Sequence, residues 1–177
     1  MALLRPLLTA MVLCSFGPVA PLGCHLPQNS LLLSRKTFEV LEQMKRISPV
    51  LCLKDRRDFQ FPREMVKLSQ MQKTQAASVL QMLLQPIFSL FNTEQATAAW
   101  NPALLRELRT ELLLQLQNLS TCLVQVTREE KSVLKTEGPA LALRRYFKRI
   151  FLYLEEKQYS DCAWEIVRQE ITRAYSS

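Results

Sequence analysis

The sequence predicts an all-α fold: a bundle of five helices with a long first crossover loop and two disulfides. Only three glycines occur in 177 residues, and Gly138 is the single one beyond residue 23. Strand-rich folds usually need glycines at tight hairpins, whereas helical bundles do not. In five segments apolar residues recur at spacings of three and four, as on the buried face of a helix.

Residues 1–23 are predicted to be a secretory signal peptide. One cation, Arg5, precedes an apolar run that small residues and prolines close, and the segment is too short to span a bilayer. We expect cleavage after Gly23, with Ala20 as the alternative, which leaves residues 24–177 as one soluble, secreted domain. Its net charge of +6 suits anionic glycans or an acidic protein surface better than nucleic acid, because a secreted protein is expected to meet nucleic acid least.

The first helix is predicted over residues 31–47, where four apolar residues share one face: Leu31, Phe38, Leu41 and Met44. Residues 49–73 lack such periodicity and contain two prolines and a charged run at 54–58. A loop of about 25 residues is long for a compact domain. It therefore suggests a crossover or a binding surface.

The second helix is predicted over Thr74–Phe91, with Pro86 inside it. Because proline removes a backbone donor and crowds the preceding turn, we expect a kink there or an early end. The third helix has a clear start, with Asn101 as N-cap and Pro102 at the first helical position. Its leucines form one apolar stripe from Leu105 to Leu123.

The fourth helix follows Gly138, and its outer face is strongly basic, with Arg144, Arg145, Lys148 and Arg149. The fifth begins at Ser160 or Asp161 and is expected to bury Trp164, Val167, Ile171 and Ala174 or Tyr175. Opposite them we expect an outward polar stripe of Glu165, Arg168, Gln169, Thr172, Arg173 and Ser176.

Four cysteines beyond the signal allow three pairings: Cys24, Cys52, Cys122 and Cys162. Cys24 and Cys52 flank the first helix and would lie roughly 27 Å apart, whereas a disulfide needs Cα atoms within about 7 Å. If the long loop crosses the bundle, the pairs are Cys24–Cys122 and Cys52–Cys162. If the first two helices are antiparallel, they are Cys52–Cys122 and Cys24–Cys162. The length of the loop favours the crossover.

Catalysis is not expected. The one histidine, His25, lies beside Cys24 at the new N-terminus, and a Cys–His nucleophile needs an ordered pair with a free thiol. No CxxC or HExxH spacing indicates a metal, and no glycine-rich loop indicates a phosphate cofactor. Asn118-Leu119-Ser120 is a sequon, which makes Asn118 a candidate glycosylation site.

Several motifs, together with the cysteine spacing, make the chain similar to the type I interferons, closest to the alpha and omega branches: "CHLPQ" at 24–28, "RISPVLCLKDRRDFQFP" at 46–62, "AAW" at 98–100 and "RRYFKRIFLYLEEKQYSDCAWEIVR" at 144–168. The resemblance implies a five-helix cytokine bundle with a long first crossover and the pairs Cys24–Cys122 and Cys52–Cys162. Family members usually continue with a polar tail beyond the position of Ser177, so no tail contribution is expected here.

The same resemblance implies a secreted, monomeric cytokine that bridges the two chains of the type I interferon receptor and triggers kinase signalling and antiviral and antiproliferative genes. It places the high-affinity chain on Leu53, Arg56, Arg168, Gln169, Thr172, Arg173 and Ser176. It places the low-affinity chain on Gln81, Gln85, Phe88, Ser89, Leu104, Arg109 and Arg144. The alternative is a secreted helical carrier of an apolar ligand, which would need an internal cavity that the large apolar residues are expected to fill.

Overall fold

The computed structural model describes residues 32–129 and 135–176. Within those ranges the chain forms helices and no strand. The α-helices are α1 (Arg35–Gln43), α2 (Lys73–Phe91), α3 (Glu94–Ala99), α4 (Pro102–Glu129), α5 (Glu137–Glu156) and α6 (Asp161–Tyr175). α1, α2, α4, α5 and α6 are the five predicted helices, so the all-α prediction is confirmed. The predicted signal peptide, residues 1–23, lies outside the described residues.

Side-chain caps fix where several helices begin. Asn101 Oδ1 accepts hydrogen bonds from the backbone N–H groups of Ala103 and Leu104, at 3.0 and 3.2 Å. Ser160 Oγ accepts from Ala163 N–H at 3.2 Å. Both caps were predicted from the sequence, and such a cap stabilises a helix by about 1 kcal/mol.

Two helices differ from the prediction. α2 continues through Pro86 to Phe91, so the expected early end is wrong. Its buried residues flank the proline on both sides, at Leu83, Leu84 and Ile87. Burying each of these side chains contributes about 1.5–3 kcal/mol, which outweighs the roughly 3 kcal/mol cost of a helical proline. α1 is also shorter than predicted, because it ends at Gln43.

The crossover loop between α1 and α2 contains three short 3-10 helices, Pro49–Asp55, Arg63–Met65 and Leu68–Gln70. A further short helix, α3, was not predicted. Its six residues are too few for a periodic pattern, although Thr93 caps it by accepting a hydrogen bond from Ala96 N–H.

The core lies among the packed helices. α2 packs on α4 and α5, and α1 packs on α4 and α6. Trp164 of α6 is fully buried at its centre. Its ring lies 6.1 Å from that of Trp100 and 6.0 Å from that of Phe91, between centroids. Arg46 covers the Trp100 ring at 5.1 Å. No helix in residues 32–129 or 135–176 is long and apolar enough to cross a bilayer.

Candidate functional site

A disulfide fastens the crossover loop to the start of α6. Cys52 and Cys162 are bonded, with 5.3 Å between their Cα atoms, although 110 positions separate them in sequence. This is the pairing expected for a crossover, so the alternatives that join Cys52 to Cys122 and Cys24 to Cys162 are wrong. Cys122 is disulfide-bonded as well, and its predicted partner Cys24 lies outside the described residues.

A second set of contacts ties the same loop to the end of α5. The Tyr153 hydroxyl donates to the carbonyl oxygen of Asp55 at 2.6 Å, and Lys157 pairs with the Asp55 carboxylate at 3.1 Å. Arg57 forms two hydrogen bonds with the Glu156 carboxylate, at 3.0 and 3.3 Å. These bonds lower the pKa of Glu156, because they favour its charged form.

Burial of Phe59 completes the attachment. Phe59 is fully buried, and its ring meets that of Tyr153 edge to face at 5.1 Å. Arg149 of α5 donates to the carbonyl oxygens of Phe59 and Gln60, at 2.9 and 3.2 Å. Gln60 has a φ of 54°, which is uncommon for a residue other than glycine, and Asp58 accepts its N–H at 2.8 Å. The loop is therefore held in one conformation by both α5 and α6.

The polar side of α6 contains two corrections. Glu165 was expected to face outward, yet only 1% of it is exposed. Arg168 was expected to face outward, yet only 2% of it is exposed. Its guanidinium forms two hydrogen bonds with the buried carboxylate of Glu165, at 2.6 and 2.9 Å, and donates to the carbonyl oxygen of Leu41 at 3.0 Å. A buried charge is stable only when it is paired in this way. Arg168 therefore joins α6 to α1 and supports the surface from beneath.

Glu165 and Glu170, on the same helix, are also buried. Glu170 accepts from the Tyr146 hydroxyl at 3.1 Å and from Arg173 Nη2 at 2.8 Å. Burial raises the pKa of Tyr146 well above its usual value, so this hydroxyl stays a donor. Arg173 itself is exposed, with its guanidinium directed by Glu170.

An open groove of about 590 Å³ lies between the crossover loop and α6. Six of the seven residues predicted for high-affinity binding line it: Arg56, Arg168, Gln169, Thr172, Arg173 and Ser176. Leu53 does not line the groove but is 54% exposed on the same loop. Val50 and Leu51 beside it are more exposed still, and Arg57 and Asp58 also line the groove. Sequence reasoning missed these four; the charged run at 54–58 was an available signal for Arg57 and Asp58 alone.

Only three of the seven residues predicted for low-affinity binding line one common groove. Gln81, Gln85 and Arg144 line a separate open groove of about 780 Å³ between α2 and α5, with Leu143 and Phe147 among its apolar residues. The remaining four predicted residues do not line it: Phe88, Ser89, Leu104 and Arg109.

Arg109 has a structural role in the described chain. It donates from Nε to the carbonyl oxygen of Phe91, at the end of α2, and from Nη2 to Thr97 Oγ1 in α3, both at 2.8 Å. Phe88 and Leu104 are partly buried against the core. The side chains at these three positions therefore contribute to packing within the fold, independently of any receptor.

The remaining predictions concern modification and metal binding. Asn118 and Ser120 of the sequon are exposed on α4, and Leu119 between them is buried. Glycosylation of Asn118 stays a prediction. Among residues 32–129 and 135–176, no three potential ligands cluster in a way that could hold a metal ion.

Comparison with known proteins identifies the family. The interferon alpha/beta domain matches residues 26–177. The chain is 61% identical to human interferon omega-1 over 174 residues, which is 98% of this chain and 89% of the relative. It is 59% identical to interferon omega-2 of Equus caballus over 177 residues, 100% of this chain and 91% of that one.

A solved structure agrees with this assignment. Zebrafish interferon 2 superposes with a TM-score of 0.67 at 26% identity, covering 80% of this chain and 91% of its own. Fold and sequence together define a helical cytokine rather than an enzyme. The chain belongs to the interferon alpha/beta family, as a type I interferon similar to its omega members.

Proposed function

We propose that the chain is a secreted cytokine that binds and bridges the two chains of the type I interferon receptor. Bridging would bring the receptor-associated kinases together and induce antiviral and antiproliferative genes. The observation that carries this proposal is the attachment of the crossover loop to α6 through Cys52 and Cys162. It makes one continuous surface from two segments that lie far apart in sequence.

The composition of this surface suits a protein partner. Exposed apolar side chains of the loop, Val50, Leu51 and Leu53, lie beside the exposed cation Arg56. On α6, Gln169 and Thr172 are half-buried and Arg173 is exposed. Interfaces commonly combine an apolar centre with a polar rim, and arginine is a frequent anchor. We assign this surface to the high-affinity receptor chain.

Attachment of the loop also lowers the entropic cost of binding. Phe59, Tyr153 and Arg57 already hold the loop in the free protein. A preordered loop loses less conformational entropy when a partner binds. Arg168 contributes to the surface by holding α6 against α1, through Leu41, and not as an exposed anchor.

Bridging requires a second surface. The α2–α5 groove shares no lining residue with the first groove, so two partners can bind without competing for the same side chains. We assign it, with the neighbouring Phe88, Ser89, Leu104 and Arg109, to the low-affinity chain. One monomer would then contact both receptor chains.

A carrier of an apolar ligand is less well supported. It would need an enclosed cavity, whereas the centre of the described core holds fully buried large side chains such as Trp164, Tyr146 and Phe91. Both grooves open to solvent. The receptor proposal accounts for more of the surface.

Binding to each isolated receptor ectodomain tests the proposal, with a reporter for interferon-stimulated transcription as second readout. Leu53→Ala with Arg56→Ala should weaken binding to the high-affinity ectodomain alone. Gln85→Ala with Arg144→Ala should weaken binding to the low-affinity ectodomain alone, so each pair serves as the control of the other. A folded protein that binds neither ectodomain and leaves the reporter silent at nanomolar concentration would refute the proposal.

A further inference from the structure

The outer face of α5 carries four cations within six residues: Arg144, Arg145, Lys148 and Arg149. The first three are exposed and form no ion pair with any residue whose side chain the structure describes, in 32–125 and 135–176. Arg149 is half-buried and donates to two uncharged acceptors, the carbonyl oxygens of Phe59 and Gln60, and it forms no ion pair among the described side chains. Four positive charges therefore lie on a stretch of α5 that is only about 7.5 Å long, measured along the helix axis.

The elements packed on α5 do not neutralise these charges. On α6, the carboxylates of Asp161, Glu165 and Glu170 pair with Arg46, Arg168 and Arg173. α2 contains no aspartate or glutamate between Lys73 and Phe91. In the 3-10 helix Arg63–Met65, which also packs on α5, Glu64 pairs with Lys67. On α5 itself, the nearest carboxylates on this face are Glu137 and Glu155, seven residues before Arg144 and seven after Lys148. That is about 10 Å along the axis, roughly one Debye length at physiological ionic strength.

We propose that this α5 cation surface, Arg144, Arg145, Lys148 and Arg149, binds a sulfated linear polysaccharide. The inference rests on one part of the proposed function, secretion, because such polymers are met outside the cell. Guanidinium groups match sulfate oxygens in bidentate geometry, and a flexible polyanion can contact cations spread over two turns of a helix. Of the four, Arg144 and Lys148 also line the α2–α5 groove that we assign to the low-affinity chain, whereas Arg145 and Arg149 line neither receptor groove.

The arrangement suits a polysaccharide better than two other polyanions. Single-stranded nucleic acid is usually held by several aromatic side chains that stack on successive bases. Of the aromatic residues beside these cations, Tyr146 and Phe147 are buried and Phe151 alone is exposed. Anionic phospholipids are concentrated in the cytoplasmic leaflet, which a secreted protein does not meet. Because Arg144 and Lys148 belong to both surfaces, bound polysaccharide would compete with the low-affinity chain and leave the groove between the crossover loop and α6 free.

Binding to immobilised heparin across a range of NaCl concentrations tests this proposal with the full-length protein. Arg145→Gln with Lys148→Gln should weaken binding about tenfold or more and reduce its salt dependence, since two charge contacts are lost. The matched control is Lys45→Gln with Arg106→Gln, which removes the same charge from exposed positions outside this surface. The control should retain wild-type affinity. Circular dichroism of both variants verifies folding.

Several outcomes would overturn the inference. Equal loss in both double variants would mean that net charge alone drives binding. Equal affinity for chemically desulfated heparin would remove the role of sulfate, and tighter binding to single-stranded DNA of the same charge would point to nucleic acid. Binding of the wild-type protein to heparin and to the high-affinity ectodomain separates the two proposals. Heparin binding without ectodomain binding refutes the receptor proposal alone, and ectodomain binding without heparin binding refutes this one alone.

Discussion

Arg168 and Glu165 form a buried ion pair one turn apart on α6, with N–O distances of 2.6 and 2.9 Å. Both residues are at most 2% exposed, so neither charge is solvated by water. The guanidinium also donates to the carbonyl oxygen of Leu41 and thereby links α6 to α1. A residue that the sequence placed on the outer surface is thus part of the internal packing.

Replacing Arg168 should destabilise the protein. Arg168→Ala leaves the Glu165 carboxylate buried and unpaired, which costs about 3–5 kcal/mol of unfolding free energy. Arg35→Ala is the control, because Arg35 and its partner Glu39 are both exposed and a surface pair contributes at most about 1 kcal/mol. Urea unfolding followed by circular dichroism measures both. Equal stability of the two variants would contradict the buried-pair interpretation.

The Tyr153 hydroxyl should make stability depend on alkaline pH. Burial raises the pKa of Tyr153 to about 12, from a usual value of 10.0. The folded state therefore favours the neutral hydroxyl, and its contribution is complete below pH 10 and is lost as the pH rises through about 12.

Tyr153→Phe removes this titration and the hydrogen bond to Asp55. It should be about 1 kcal/mol less stable at neutral pH, and its stability should fall less steeply than that of the wild type between pH 10 and 12. Urea unfolding of both proteins at neutral pH gives the difference in stability, and unfolding at several pH values between 10 and 12 gives the two slopes. Parallel stability curves for the two proteins would show that Tyr153 does not titrate there.

Removing the disulfide should reduce stability without releasing the loop. Cys52→Ser with Cys162→Ser loses a cross-link between residues 110 apart, worth about 4–5 kcal/mol in the chain-entropy model. The contacts of Arg57, Phe59 and Arg149 remain. Hydrogen exchange of residues 52–61 should therefore stay slower than in a variant that also carries Arg57→Ala. Equally fast exchange in both would show that the disulfide alone holds the loop.

Asn118 is the candidate for glycosylation. Its side chain is exposed on α4, so an attached glycan would extend into solvent. Protein secreted from mammalian cells should lose a glycan-sized mass on Asn118→Gln, and on Ser120→Ala, which leaves the asparagine in place. Identical masses for all three proteins would show that the sequon is unused.

Local features of the fold could be predicted from the sequence because they depend on neighbouring residues. The caps at Asn101 and Ser160 bond to N–H groups two or three positions away. The buried face of α6, from Trp164 to Tyr175, follows from a period of about 3.6 residues. Both signals lie within a single helix.

The features that were missed depend on distant segments meeting. Arg149 and Phe59 are 90 positions apart, and no local pattern in either segment indicates that one donates to the other. Likewise the polar stripe on α6 identified Arg168 as a surface residue, because periodicity cannot show that α1 covers that side. The same holds for Arg109, whose bond to the end of α2 depends on how α2 and α4 pack.

The several attachments of the crossover loop have a consequence for oxidative assembly. If Arg57, Phe59 and Arg149 hold the loop in place before the bridge forms, the two thiols of Cys52 and Cys162 meet at high effective concentration. Closure then needs no search through a loop of 110 residues. After transient reduction, the same contacts would guide the two sulfurs back to each other rather than to another cysteine.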